Sequence, residues 1–243
     1  MKFLCVIPAR FASTRLPGKP LADIAGKPMI QRVYERAMKA KRPAAVLVAT
    51  DDDRVFQAMQ NCNGKAMMTA ADHPTGTDRL AEVAAAYADI DVIINVQGDE
   101  PLIDPEVIDN LAAAFDEDKD LQMATVMTKM DEEEKNNPNN VKVVTDKRGY
   151  ALYFSRSLVP YPRVATGVAT YKHIGIYAYK RDFLLNYAKM EPTILEQTES
   201  LEQLRVLENG YKIKVIETDC KFVGVDTAED LEKVNEVYRS LGE

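Results

Sequence analysis

Residues 8–20, PARFASTRLPGKP, combine small side chains with three cations, Arg10, Arg15 and Lys19, and no acid among them. Small residues let backbone N–H groups approach an anion, and the cations can neutralise a polyphosphate, Arg as a fork and Lys as a point charge. An exposed basic loop is the plainer alternative. The stretch is neither a GxGxxG loop nor a Walker loop, since Gly18-Lys19 is followed by Pro20 instead of Ser or Thr. Residues 95–101, NVQGDEP, place Asp99 directly behind Gly98. A carboxylate there can hold Mg2+ against substrate phosphates, because Mg2+ takes one or two carboxylates and fills its shell with phosphate oxygens and water. Gln97 offers an amide able to read a base edge. Residues 223–230, VGVDTAED, carry a further acid, Asp226. Read alone, Asp226 fits a turn or helix cap as well as a ligand. Pairing with Asp99 gives it weight, because two carboxylates could then share one metal ion.

Residues 72–80, DHPTGTDRL, form another candidate. Thr75, Gly76 and Thr77 can donate hydroxyl and backbone hydrogen bonds at a helix start, and Arg79 can reach a phosphate or a base. Helix capping alone would also explain the threonines. His73 reads as a surface loop residue. Arg156, His173, Glu202 and Gln203 are scattered along the second half. An acidic sugar would need an Arg for its carboxylate and amide or carboxylate partners for its hydroxyls. His173, inside YKHIGIYAY, also fits a structural role. There is no Ser-His-Asp order and no nucleophilic Cys context, so covalent catalysis is not favoured.

These residues need a frame that brings positions 10–19, 99 and 226 to one place. Short apolar runs at 2–7, 45–49 and 91–96 read as strands buried on both faces. Helical patterns at 28–41, 52–60 and 77–88 lie between and after them. Such alternation implies right-handed crossovers and a parallel sheet, with the site in loops at the carboxyl ends of the strands. The pattern then changes. Residues 141–144, 150–154 and 171–179 are β-rich and Tyr-rich, and no full crossover helix separates the first two. They predict an antiparallel or mixed extension of the sheet. The charged runs at 116–120 and 131–135 read as solvated faces, and Pro160 and Pro162 mark an irregular loop. Helices are predicted at 181–190, 196–209 and 227–241, and a strand at 212–216. No linker or repeat interrupts the chain, which predicts one α/β domain over residues 1–243 with a β-rich lobe at about 122–180.

Composition removes other chemistries. Lys plus Arg is 31 and Asp plus Glu is 38 in 243 residues, a net charge of −7. An acidic chain is a poor non-specific nucleic-acid binder. Cys5, Cys62 and Cys220 form no close pair, which gives neither zinc spacing nor a disulfide frame and fits a reducing compartment. The two histidines exclude an HExxH helix. No apolar run approaches the ~18 residues of a membrane span, and Pro8 and Arg10 come too early for a secretory signal.

Taken in order, PARFASTRLPGKP, DHPTGTDRL, NVQGDEP, NPNNVKVV, YALYFSRS, KHIGIYAY, ESLEQLR and GVDT closely resemble the 3-deoxy-D-manno-octulosonate (Kdo) cytidylyltransferase family, over nearly the whole chain. The resemblance implies a nucleotide-diphospho-sugar transferase fold, mostly parallel with a small mixed β lobe that makes a homodimer. It implies transfer of CMP from CTP to the anomeric hydroxyl of Kdo with release of pyrophosphate, for bacterial lipopolysaccharide or capsule synthesis, in a cytoplasmic, Mg2+-dependent enzyme. Carried over by motif, Arg10, Arg15 and Lys19 bind the CTP phosphates, and Gln97 with Thr75, Gly76 and Arg79 lies around the cytidine. Asp99 and Asp226 hold Mg2+, and Lys19 joins them as the catalytic set. Arg156, His173, Tyr177, Glu202 and Gln203 line the sugar pocket. The short loop between Ser157 and Tyr171 also resembles the amino-sugar branch, so 8-amino-8-deoxy-Kdo or another acidic sugar is the alternative substrate. The GVDT motif favours Kdo.

Overall fold

The structure is a computed structural model that describes residues 1–12, 16–164 and 166–242. Strands β1 (Phe3–Ala9), β2 (Asp23–Ile24), β3 (Lys27–Pro28), β4 (Ala45–Thr50), β5 (Ala66–Met68), β6 (Val92–Asn95), β7 (Met123–Lys129), β8 (Lys142–Thr145), β9 (Ala151–Ser155), β10 (Tyr171–Lys180) and β11 (Ile213–Glu217) are interspersed with eight helices among the described residues. The helices are α1 (Met29–Ala37), α2 (Asp53–Asn61), α3 (Gly76–Ala86), α4 (Pro105–Glu117), α5 (Arg181–Tyr187), α6 (Ile194–Glu199), α7 (Leu204–Glu208) and α8 (Ala228–Ser240).

The main path of the sheet runs β11-β7-β10-β6-β1-β4-β5. β6, β1 and β4 are mutually parallel, as their apolar runs predict, and β5 extends the parallel set beyond β4. β10 enters antiparallel to β6, β7 is antiparallel to β10, and β11 is parallel to β7. Two reversals therefore restore the original direction. The chain leaving β11 emerges on the same edge of the sheet as the chain leaving β1 and β6. This topology brings residues 223–226 to the loops that carry Lys19 and Asp99. β2 and β3 form a separate small hairpin.

Apolar layers cover both faces. One unites Ile7, Val33, Ile94, Leu111 and Val234 beneath α1, α4 and α8. The other unites Val6, Leu80, Val83, Phe154, Tyr179 and Leu184 beneath α3 and α5. Each layer excludes water from one side of the sheet, so strands β1 and β6 are buried throughout most of their length.

Several expectations need correction. The helix expected at 196–209 is two short helices, because Ser200 takes a left-handed φ of 51° that ends α6. α4, β5 and β7 escaped the sequence reading, although Asp104 caps α4 through the amide of Glu106 and Pro105 opens it. Within the 122–180 stretch expected to form a lobe, β7 and β10 are interior strands of the main path, and only β8 and β9 lie off it.

Candidate active site

Two tight backbone features set the cleft. Gly98 follows β6 so closely against the end of β1 that a Cβ there would stand 2.8 Å from the Pro8 carbonyl oxygen. Gly18, at a φ of 68°, starts a 3-10 turn over Lys19–Leu21. That turn directs Lys19 between the two acids. Its Nζ lies 2.6 Å from Asp99 Oδ2, 3.0 Å from Asp226 Oδ1 and 2.9 Å from the carbonyl oxygen of Val225. The amide of Val225 donates to the Asp99 carbonyl at 2.9 Å, so the two acidic segments are joined through their backbones. Capping of α8 falls to Thr227, whose hydroxyl accepts from the Asp230 amide, and this leaves the Asp226 carboxylate for the cleft.

Electrostatics follow from these distances. Burial works to lower the Lys19 pKa, but Asp99 and Asp226 overcome it and hold the ammonium above its ordinary value, fully charged at neutral pH. Neighbouring Glu100 goes the other way: burial first, then the Asp99 charge, pushes its carboxyl up to about 7. Its buried Oε2 has no hydrogen-bond partner among the described residues. The cleft holds about 330 Å³ and is lined by Arg10, Lys19, Gln97, Asp99 and Asp226 among others. Arg10 is anchored by an Nη2 hydrogen bond of 2.6 Å to the His73 carbonyl. Arg15 lies outside the described residues.

Gln97 leads from this cleft to a second group. Its Nε2 donates to the Gly175 carbonyl on β10 at 2.7 Å. On the same strand the His173 and Tyr177 rings stand 5.4 Å apart. Burial pushes the His173 pKa down to about 3, so the ring is neutral, with Nε2 3.0 Å from Thr125 Oγ1. Burial and then the Glu202 charge push Tyr177 upward. Glu202, its own pKa raised mainly by burial, accepts from Thr75 Oγ1 at 3.4 Å. Gln203 is buried, and its Nε2 has no partner among the described residues. Thr75 is the cap of α3 in a box with Asp78, and Gly76 opens that helix.

Two candidates behave differently from expectation. Arg79 does not reach out to a phosphate or base. Its side chain is fully buried, with Nη2 2.9 Å from Asp51 Oδ2 and Nη1 on the Thr69 hydroxyl. It fastens the chain following β4 and β5 from beneath. Arg156 spends three nitrogens on carbonyls, Nε on Glu199 at 2.7 Å, Nη1 on Pro138 at 3.1 Å and Nη2 on Ser200 at 3.3 Å. It ties β9 to the end of α6 and keeps few N–H groups for a ligand. Sequence reasoning also missed Glu100, although it sits in the NVQGDEP motif, and Glu82, which accepts from the Ala70 amide and contacts the His73 ring to pin the loop that receives Arg10.

The donor set suits Mg2+. Two carboxylate oxygens from separate segments lie within 3.0 Å of a single cationic atom, so a cation already fits between them. Among the described residues no group of three or more His, Cys, Asp or Glu is arranged to hold a metal ion. An ion here would complete its shell with substrate oxygens and water, which is the habit of Mg2+.

The sequence model of the cytidylyltransferase family matches residues 4–213. A Fusobacterium nucleatum protein named 3-deoxy-manno-octulosonate cytidylyltransferase is 57% identical over 235 residues, covering 96% of both chains. A protein of the same name from Geotalea daltonii is 53% identical with all of both chains covered. Among solved structures, a CMP:2-keto-3-deoxy-manno-octonic acid synthetase complexed with CTP superposes with a TM-score of 0.96 at 49% identity, covering 99% of this chain and 100% of the other.

Proposed function

The chain belongs to the cytidylyltransferase family, and from that premise we propose that its cleft transfers CMP from CTP to the anomeric hydroxyl of Kdo. The observation that carries this reading is the convergence of Asp99 and Asp226 on Lys19 at the carboxyl ends of β1 and β6, beside Arg10. The anomeric oxygen attacks the α-phosphorus in line with the leaving pyrophosphate, so the protein's task is positioning and charge neutralisation. Arg10, Arg15 and Lys19 take the CTP phosphates and stabilise charge on the departing pyrophosphate. Gln97, Thr75 and Gly76 lie around the cytidine. His173, Tyr177, Glu202 and Gln203 line the sugar pocket, whose floor Arg156 braces. The neutral His173 ring can hydrogen-bond a sugar hydroxyl but supplies no cationic charge. Asp99 and Asp226 hold Mg2+, which when bound would polarise the α-phosphate and lower the pKa of the attacking hydroxyl.

Three further parts belong to the same reading. The product serves lipopolysaccharide or capsule synthesis, the reaction runs in the cytoplasm, and the enzyme is a homodimer. Among the described residues no helix is long and apolar enough to cross a membrane. For the dimer, support comes from exposed Leu152, Tyr161, Val164 and Val168, all on β9 or the loop before β10. A panel of CTP, UTP and GTP against Kdo and 8-amino-8-deoxy-Kdo, followed by pyrophosphate release, tests the function. Fastest release with CTP and Kdo is expected. Preference for the amino sugar or another nucleotide would overturn the assignment.

A further inference from the structure

An ammonium has three N–H donors. All three of Lys19 have acceptors: Asp99 at 2.6 Å, Asp226 at 3.0 Å and the Val225 carbonyl at 2.9 Å. Lys19 is thus saturated by the acidic pair and the Val225 carbonyl and has no donor left for a phosphate. Its charge also stands where a metal ion bound to both carboxylates would have to be, and two cations do not share that space. The contact is not locked in the core. The Lys19 side chain is 16% exposed, with Asp99 at 32% and Asp226 at 47%, and a flexible four-carbon stem carries the ammonium at the wall of an open cleft.

We propose that Lys19 is the resident counter-ion of the metal site and leaves it when a nucleotide polyphosphate enters. The phosphates offer the ammonium a new set of acceptors, and its departure withdraws the competing charge from both carboxylates. Metal binding is thereby weak without nucleotide and strong with it. The coupling needs only one side chain with two alternative sets of partners. It also protects the cleft from holding a divalent ion in unproductive isolation. The proposal rests on the reading of Asp99 and Asp226 as metal ligands.

The test is Mn2+ binding to nucleotide-free protein, followed by electron paramagnetic resonance. Lys19→Met should bind Mn2+ about tenfold or more tightly than wild type, since the competing charge-assisted hydrogen bonds are gone. Lys19→Arg should bind as weakly as wild type, because the charge is retained. Asp99→Asn in the Lys19→Met background should abolish the gain. Lys19→Gln, an uncharged donor, carries the same expectation should the Met variant fold poorly by circular dichroism. If the uncharged variants bind Mn2+ no better than wild type while Asp99→Asn weakens binding, the counter-ion proposal is overturned and the metal reading stands. If Asp99→Asn leaves the affinity of the Lys19→Met protein unchanged, the metal reading itself fails.

Discussion

The amide of Val225 donates to the carbonyl oxygen of Asp99 at 2.9 Å. This bond couples the chain leaving β6 to the chain leaving β11, and it is made by backbone atoms alone. The spacing of the Asp99 and Asp226 side chains is therefore preserved when either carboxylate is replaced. Asp99→Asn should fold normally, as judged by circular dichroism, and lose kcat by on the order of 10²-fold, the usual cost of removing one preorganised electrostatic contact. Asp226→Asn should fall in the same direction. Near-normal pyrophosphate release by either variant at saturating Mg2+ would take that carboxylate out of the machinery.

Gly98 is required by the Pro8 carbonyl. A Cβ at this position would stand 2.8 Å from that oxygen, a backbone atom that cannot rotate away. Gly98→Ala must shift either β1 or the Asp99 segment. Overpacking of this kind costs about 1–3 kcal/mol, and here the displaced residue is a site residue. Urea unfolding should show the stability loss, together with a fall in kcat. An Ala variant with wild-type midpoint and turnover would show that the strands separate freely at this point.

Arg79 is expected to matter for stability, not for nucleotide contact. Its buried guanidinium neutralises Asp51, so Arg79→Ala leaves a carboxylate with little solvent and no counter-charge. Removing one member of such a pair costs about 3 kcal/mol. Arg79→Lys keeps the charge but loses the fork to Asp51 and Thr69, and should lower the urea midpoint while leaving the KM for CTP within about twofold. A raised KM at an unchanged midpoint would return Arg79 to the binding surface.

The contrast between Asp99 and Arg79 shows what the sequence reveals and what it hides. Asp99 is legible because its position is local: an apolar run, a glycine, then an acid at a strand's carboxyl end. β1, β4 and β6 are legible for the same reason, as continuous apolar runs. β7 was missed because threonines interrupt MATVMTK. The Thr125 hydroxyl is satisfied inside the sheet by the carbonyls of Ile174 and Ile176 at 3.2 and 2.9 Å, which nothing near position 125 announces. Arg79 reads as a free cation for the same reason, since Asp51 and Thr69 become its partners only after β4 and β5 have paired. The threefold hold on Lys19 depends on the return of β11 to the active edge and is equally invisible in PARFASTRLPGKP.

His173 makes stability depend on pH in a window it shares with Glu100, whose carboxyl is pushed up to about 7 and acts in the opposite direction. Burial pushes its pKa down to about 3 in the folded protein, against an ordinary histidine value of about 6.5 in the unfolded chain. Between those values the unfolded chain binds a proton that the folded one refuses. The His173 contribution is then complete above about pH 6.5 and declines by roughly 1.4 kcal/mol for each unit of acidification below it. His173→Gln retains an amide to meet the Thr125 hydroxyl and removes the titration. Its stability at pH 7 should be lower than wild type, because the tight contacts with Phe154 and Tyr177 are disturbed. The gap should narrow by about 2 kcal/mol by pH 5. Urea unfolding of both proteins at pH 7, 6 and 5 measures the difference, and subtraction cancels the other titrating groups. Parallel curves across that range would show that the His173 ring accepts a proton without leaving its buried place.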